Sequence, residues 1–295
     1  MKICITGVSG FIGAALARTL HAAGHDVTGT TSNVSRAQGL SVPLSALCTM
    51  RFESSPKKHF FDGCSAIVYC AHDFAAGAME RNVANTWRMR QAGEEAGVKN
   101  QIFVSSHSAR ADAPSEYGRT KYAIEQEFLA AGYSIIRPGL VIGPGGLFAR
   151  TAQTLARLPI VPLPAGGLAP VPVIWLDDLL VVLTALLEKS IVGAFNLFLP
   201  QEPSQHEFVC TILEAEGRVP RTITLPTSFV VSMSRWLRSC GVGIPQCLAR
   251  LETIHLNMSK SIHKSQLEYF LPSPLPLKEA ITSTCKVLGL NSKSH

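Results

Sequence analysis

Residues 3–13 read Ile3-Cys4-Ile5-Thr6-Gly7-Val8-Ser9-Gly10-Phe11-Ile12-Gly13, and a helical pattern running to Ala23 follows. The β-branched Ile3, Ile5 and Thr6 predict a strand over Ile3–Thr6 that enters a glycine turn and then a helix over Gly10–Ala23, ended by Gly24. Each glycine has a physical use in such a turn. Gly7 permits the tight bend, Gly10 lets backbone amides come close to a pyrophosphate, and Gly13 lets the helix lie against the strand. Unpaired amides and the helix dipole at that N-terminus favour a dianionic ligand. Glycines three residues apart also arise for packing alone. The strand-turn-helix setting within the first 24 residues is what points to a nucleotide, held by Gly7, Ser9, Gly10, Phe11, Ile12 and Gly13.

An acidic residue about 20 positions beyond such a loop accepts the ribose hydroxyls of NAD. Here the second predicted strand, Val27–Thr31, runs into Thr30-Thr31-Ser32 with Asn33 and Arg36 after it and no carboxylate. Hydroxyls of Thr31 and Ser32 beside the Arg36 guanidinium suit a 2′-phosphate, so the sequence favours NADP. NAD stays open, and an ordinary exposed loop arginine is the other reading of Arg36.

Further strand-like runs stand at Leu47–Phe52, Ala66–Ala71, Gln101–Ser105, Tyr133–Arg137 and Ala194–Leu199, between helical patterns at Met79–Ala96, Ser115–Ala131 and Asp177–Glu188. That alternation predicts an α/β fold, a doubly wound parallel sheet covered by helices on both faces. Proline and glycine crowd the stretch from Pro159 to Pro172, which predicts a surface loop or lid within about 143–172. Beyond residue 200 the pattern is mainly helical with proline breaks. The expectation is a nucleotide-binding domain over 1–199 and a smaller C-terminal lobe over 200–295.

The chain has 295 residues, 46% of them hydrophobic and 16% charged, enough to bury a large core and to exclude disorder as its main state. Its formal charge of +6 is uneven: residues 1–217 carry 17 basic and 18 acidic side chains, residues 218–295 carry 10 and 3. The C-terminal basic residues stand singly among apolar ones, so no nucleic-acid partner is expected. Either a solvated helical face or an anion-facing set drawn from Arg218, Arg221, Arg235, Arg238 and Arg250 fits them. The apolar run Leu179–Leu187 has about half the residues a membrane span needs, and the glycines near the start interrupt any secretory leader. Eight cysteines without C-x-x-C or zinc spacing read as reduced thiols, with no metal site, which suits a cytoplasmic protein.

Tyr117 and Lys121 lie four apart in a helical stretch, so their side chains share a face. An ammonium beside a phenol stabilises phenolate and is expected to lower the Tyr117 pKa from its usual ~10. Such a pair can move a proton to or from a carbonyl or alcohol oxygen. Tyr-x-x-x-Lys is common by accident; Ser105-Ser106 at the end of the fifth strand, one crossover upstream, gives it weight.

Together these residues resemble the short-chain dehydrogenase/reductase superfamily, and within it the extended branch, the NAD(P)-dependent epimerase/dehydratase family. Blocks at 66–71, 82–86, 96–99, 136–139, 141–145 and 175–179 resemble that family in its order, and the resemblance covers about residues 1–210. It implies a Rossmann-type fold in which Tyr117 is the general acid/base, Lys121 lowers its pKa and holds the nicotinamide ribose, Ser106 bonds the substrate oxygen, and Asn82 supports the helix behind. It also implies that Cys70, Ala71 and Pro138 border the cofactor. Ser106 is chosen over Ser105 and Ser108 because the family's catalytic hydroxyl closes the block that here reads Val104-Ser105-Ser106.

Four departures stand out. The third strand lacks an Asp toward the adenine unless Glu53 replaces it, and His72-Asp73 stands where small residues are usual. His107 follows Ser106, either aimed into the pocket or as a satisfied loop residue. Ser108-Ala109-Arg110 replaces the Val-Tyr-Gly of sugar-nucleotide enzymes. Elsewhere, Asp177-Asp178 read as helix-start charges, Phe229, Val230, Met233 and Trp236 as an apolar helical stripe, and no G-x-S-x-G supports a hydrolase.

The expectation is an NADP-dependent oxidoreductase that reduces a ketone, or oxidises a secondary alcohol, on a small polar or anionic molecule. The alternative is a sugar-nucleotide epimerase with a tightly bound, recycled NAD(P); dehydration is disfavoured because Ser106-His107-Ser108 lacks the Asp-Glu of that class. A nucleotide sensor is the third reading, and loss of the Tyr or Lys would mark it. The resemblance further suggests a homodimer through 79–96 and 115–131, without a membrane partner.

Overall fold

The computed structural model describes residues 1–40, 42, 44–50, 54, 56, 59–226 and 264–290. β1 (Lys2–Thr6) leads through the glycine turn into α1 (Phe11–Ala22), and β2 (Asp26–Thr31), α2 (Val34–Gln38) and β3 (Ala46–Thr49) follow. The chain then runs through β4 (Ala66–Tyr69), α3 (Met79–Glu95), β5 (Asn100–Val104), α4 (Glu116–Ala130) and β6 (Ser134–Pro138). After α6 (Leu176–Lys189), β10 (Ala194–Leu197) takes the edge of a seven-stranded sheet in the order β10-β6-β5-β4-β1-β2-β3. Pairing is parallel from β3 through to β6, with Ile3 opposite both Val27 and Ala66. Strand order reverses between β1 and β4, and in such sheets the crevice at the strands' carboxyl ends is where ligands bind.

Gly24 follows the Ala23 cap of α1 at φ +81°, the left-handed position that stops a helix at little cost to glycine. Beneath the helices, Cys4, Ile67, Tyr69, Phe103, Phe128 and Ile135 form a core, and Tyr69 meets Phe128 edge to face at 5.0 Å. Each such large apolar side chain contributes about 1.5–3 kcal/mol when fully buried.

The chain divides into two compact units, Met1–Arg137 with Leu179–Phe195, and Pro138–Asp178 with the residues from Asn196 onward. The stretch 138–178, grouped with the first domain on sequence, thus belongs to the second unit. There β7 (Leu140–Ile142) pairs with β9 (Val173–Trp175), and β8 (Val161–Pro164) with β11 (Thr222–Leu225), both in parallel. Phe148 of α5 (Gly146–Leu155), Phe208 and Ile212 of α7 (Gln205–Ala215), and Ile281 of the last helix, Leu277–Val287, share its core.

The expected loop at 159–172 is therefore in part strand. Pro162 and Pro164 are tolerated because a two-stranded sheet leaves one edge without ladder bonds. Arg218 donates to the carbonyls of Leu155 and Leu158, satisfying oxygens at the end of α5, while Arg221 is exposed. Arg235, Arg238, Arg250, Glu53 and the apolar stripe at 229–236 lie outside the described residues.

Among the described residues no helix is long and apolar enough to cross a membrane, and no three His, Cys, Asp or Glu side chains gather as metal ligands. The described cysteines are free, with Cys4, Cys48, Cys64 and Cys285 buried.

Candidate active site

β1 delivers the chain to Gly7, whose φ is +69°; a Cβ there would stand 2.8 Å from Ala71 Cα at the end of β4. Only glycine fits that gap at the switch point of the sheet. Gly10 N donates to Gly7 O at 2.8 Å, and Gly10 caps α1 without any side-chain hydrogen bond. A Cβ on Gly13 would lie 2.5 Å from Gly7 O, so the helix sits as close to the loop as glycine permits. The first turn of α1, opened by the half-buried Phe11 and Ile12, therefore offers amides with no side-chain acceptor, in a cradle that fits a dinucleotide pyrophosphate.

At the end of β2, Thr31 Oγ1 shares a 2.7 Å hydrogen bond with Ser9 Oγ, accepts from Asn33 N and donates to Asn33 O. Thr31 is buried, and its hydroxyl ties the phosphate loop to the β2–α2 turn. Ser32 and Arg36 are exposed there, and Asn33 Oδ1 caps α2 by accepting from Arg36 N at 2.9 Å. Across the crevice, Ala71 N donates to Thr6 Oγ1, and burial pushes the Cys70 thiol up to about 12. Pro138 is buried at the end of β6.

Ser115 starts α4 by accepting from Gly118 N, which fixes the phase of the helix and turns Tyr117 and Lys121 to one face. Lys121 is 3% exposed; its Nζ donates to Val104 O at 2.8 Å and lies 4.6 Å from the Phe103 ring centroid. Burial pulls its pKa down to about 8, against the opposing pull of Cys70 and Glu125. Glu125, one turn further, is fully buried in a two-pronged ion pair with Arg137, at 2.7–3.1 Å. Its i,i+4 spacing from Lys121 was the available signal in the sequence.

Burial pushes Tyr117 up to about 12, and a hydrogen bond with Ser106 works the other way. The expected lowering by Lys121 is not what the geometry delivers. The ammonium is spent on the Val104 carbonyl, 5.8 Å from the phenol ring's centroid, and loss of solvent dominates. Ser106 Oγ is also 2.9 Å from Ser108 Oγ and accepts from Ser108 N, while Ser105 and His107 are buried.

The segment 73–79 forms a wall beside Tyr117. Asn82 grips it from both sides: Oδ1 accepts from Asp73 N at 2.8 Å and Nδ2 donates to Asp73 O and Ala78 O. Glu116, which sequence reasoning passed over, accepts from Gly77 N and Met79 N and so closes the start of α3. His72 meets Tyr117 edge to face at 4.9 Å, and Phe74 stacks on it at 5.8 Å.

A phosphate cradle at the switch point of a parallel sheet, with a half-buried phenol and a buried amine on the helix after β5, defines a Rossmann-type α/β protein. Residues 3–197 match the model of the NAD dependent epimerase/dehydratase family, and the chain belongs to that family. Its fold is shared by a nucleoside-diphosphate-sugar epimerase from Staphylococcus aureus (TM-score 0.74, 15% identity, 96% of this chain and 100% of that one). A dTDP-glucose 4,6-dehydratase from Bacillus anthracis solved with NAD is similar over 100% and 98% of the two chains (TM-score 0.73, 15% identity). So is a UDP-glucuronic acid 4-epimerase from Bacillus cereus, solved with UDP-glucuronic acid and NAD (TM-score 0.72, 17% identity, 98% and 99%). No curated protein matches the sequence.

Proposed function

We propose that the chain is an NADP-dependent oxidoreductase of the extended short-chain dehydrogenase/reductase type that reduces a ketone, with Tyr117 as the general acid. The observation that carries this is the state of the phenol. Half-buried, and pushed up to about 12 by loss of solvent around the phenol, Tyr117 holds its proton at neutral pH and, bonded to Ser106, is placed to give it to an oxygen that gains negative charge. Bound nicotinamide supplies the hydride. Ser106 Oγ holds the carbonyl oxygen, Tyr117 Oη protonates it, the Ser106 hydrogen bond that opposes the upward shift of the phenol favours the phenolate left behind, and Lys121 holds the ribose.

Gly7, Ser9, Gly10, Phe11, Ile12 and Gly13 take the diphosphate, Ser32 and Arg36 the 2′-phosphate with Thr31 shaping the turn, and Cys70, Ala71 and Pro138 border the cofactor. The protein acts in the cytoplasm as a homodimer through α3 and α4. Tyr117→Phe should abolish turnover and leave NADPH binding within two-fold; undiminished turnover sinks the assignment.

A second reading, a sugar-nucleotide epimerase with recycled NAD, draws support from the family model and from solved neighbours that carry UDP-sugars and NAD. The state of the purified protein separates the two. A recycled cofactor stays tightly bound through purification, whereas a stoichiometric one exchanges.

A further inference from the structure

Resting on the reading of Tyr117 as proton donor, we propose that the hollow beside it selects a carbonyl compound bearing a flat aromatic group, with Phe74 and His72 as its walls, in preference to a sugar. The hollow is about 130 Å³ and is lined by the rings of His72, Phe74 and Tyr117 and by Ala75 and Ala76. That is near the volume of about 150 Å³ at which a closed apolar cavity takes benzene, and this hollow is in addition open on one side and partly polar.

The polar side chains that also line it are already committed to the protein. Asn82 uses its amide on Asp73 and Ala78. Both Glu116 oxygens accept from backbone amides, and Thr120 Oγ1 donates to Glu116 O. Asp73 accepts from Ala75 N and pairs with Arg81. A sugar ring presents several hydroxyls that each need a partner on burial, and the donors of this lining, the Asn82 amide and the Thr120 hydroxyl, are spent on the protein, while each carboxylate oxygen already holds one donor. His72 offers one point of polar contact. Its Nδ1 is buried without a hydrogen bond, and burial, followed by the Lys121 charge, pulls the imidazole down to about 3, so the ring is neutral at working pH.

The walls have aromatic geometry. Phe74 lies nearly parallel to Tyr117, with an interplanar angle of 17°, and His72 stands edge-on to both, at 4.7 Å from Phe74. A flat ring entering here meets one face and one edge, the arrangement aromatic pairs prefer. Phe74 is 77% exposed, so nothing in the core holds it there, and its replacement costs the fold little.

The test uses the full chain with NADPH and three probes: acetophenone, cyclohexyl methyl ketone of nearly equal size, and UDP-glucose. The expected result is a kcat/KM for acetophenone at least ten-fold above that for the cyclohexyl ketone, no reaction with UDP-glucose, and loss of the preference in Phe74→Ala with the NADPH Kd unchanged within two-fold. Saturation-transfer NMR, which needs no turnover, should show acetophenone bound to the wild type and to Tyr117→Phe, and released in Phe74→Ala. Equal or better use of the cyclohexyl ketone or UDP-glucose overturns the proposal. So does a Phe74→Ala variant that keeps the aromatic preference, or one whose main loss is NADPH affinity, which would give the hollow to the nicotinamide. Tyr117-dependent reduction of the cyclohexyl ketone alone would refute the substrate class and leave the oxidoreductase standing. If no ketone turns over, the oxidoreductase reading fails, and the NMR contrast by itself decides whether the hollow takes an aromatic ring.

Discussion

Two single-methyl additions in the glycine turn separate what the loop does for the fold from what it does for a ligand. In Gly13→Ala the new Cβ would stand 2.5 Å from Gly7 O and 3.2 Å from Val8 Cα. That is roughly 1 Å inside an ordinary van der Waals contact. Both neighbours are backbone, so no side chain can rotate away, and α1 must shift off the loop. Overpacking of this kind costs about 1–3 kcal/mol. At roughly 2–4 °C per kcal/mol for a large domain, Tm should fall by several degrees.

In Gly10→Ala the Cβ is 3.1 Å from Gly7 O and meets nothing else within 4 Å, and the backbone at φ −77° suits any residue. The cost to the helix cap is about 1 kcal/mol or less. The methyl instead projects into the space an incoming pyrophosphate needs. Thermal unfolding without nucleotide and fluorescence titration with NADPH read the two effects separately. Gly13→Ala should lower Tm, whereas Gly10→Ala should raise the NADPH Kd at least ten-fold with Tm nearly unchanged. An unchanged Tm in the first or undiminished affinity in the second would refute the reasoning.

Arg36→Ala should weaken NADPH at least ten-fold and leave NADH within two-fold; equal affinity of the wild type for the two nucleotides contradicts the role given to the guanidinium. Lys121 loses its proton above pH about 8 while Tyr117 keeps its own to about 12, so kcat/KM for ketone reduction should fall as pH rises through about 8. A profile flat to pH 10 contradicts this. In the second unit, Glu216 is buried with neither carboxyl oxygen hydrogen-bonded among the described residues, and burial raises its pKa to about 7. A carboxyl raised in the folded state binds more protons there than when unfolded, so its contribution to stability falls as pH rises from about 4.5 to about 7. Glu216→Gln should therefore raise Tm at pH 8 and change it little at pH 4, as followed by thermal melts; a lower Tm at pH 8 counts against it.

Much of the fold was legible because its signals are local. β1 and the turn after it were readable from residues 3–13, and the strand boundaries differ from expectation by one or two residues at most elements of the main sheet. β11 was missed because Thr222–Leu225 is too short to declare itself, and it exists only by pairing with β8. Pro162 and Pro164 argued against a strand, and only the exposed edge of a two-stranded sheet makes them acceptable. In the site, the shared helix face of Tyr117 and Lys121 was readable from i,i+4 spacing, whereas Glu116 gave no sign that its carboxylate would cap α3 by accepting from Met79 N, 37 residues earlier in the chain.

The glycine spacing, the alternation of strand and helix, and the shared face of Tyr117 and Lys121 are relations between neighbours in the chain, so the sequence by itself determined an α/β scaffold with a glycine turn after its first strand and a tyrosine and a lysine on one helix face. Tertiary structure decided the rest. Lys121 turned to the Val104 carbonyl, burial raised the phenol and lowered the amine, and His72 and Phe74 closed on Tyr117 while Asn82 and Glu116 spent their polar atoms on the wall behind. Protonation and the unused polar capacity of a pocket depend on desolvation and on partners far apart in the chain, and those exist only once the chain has folded.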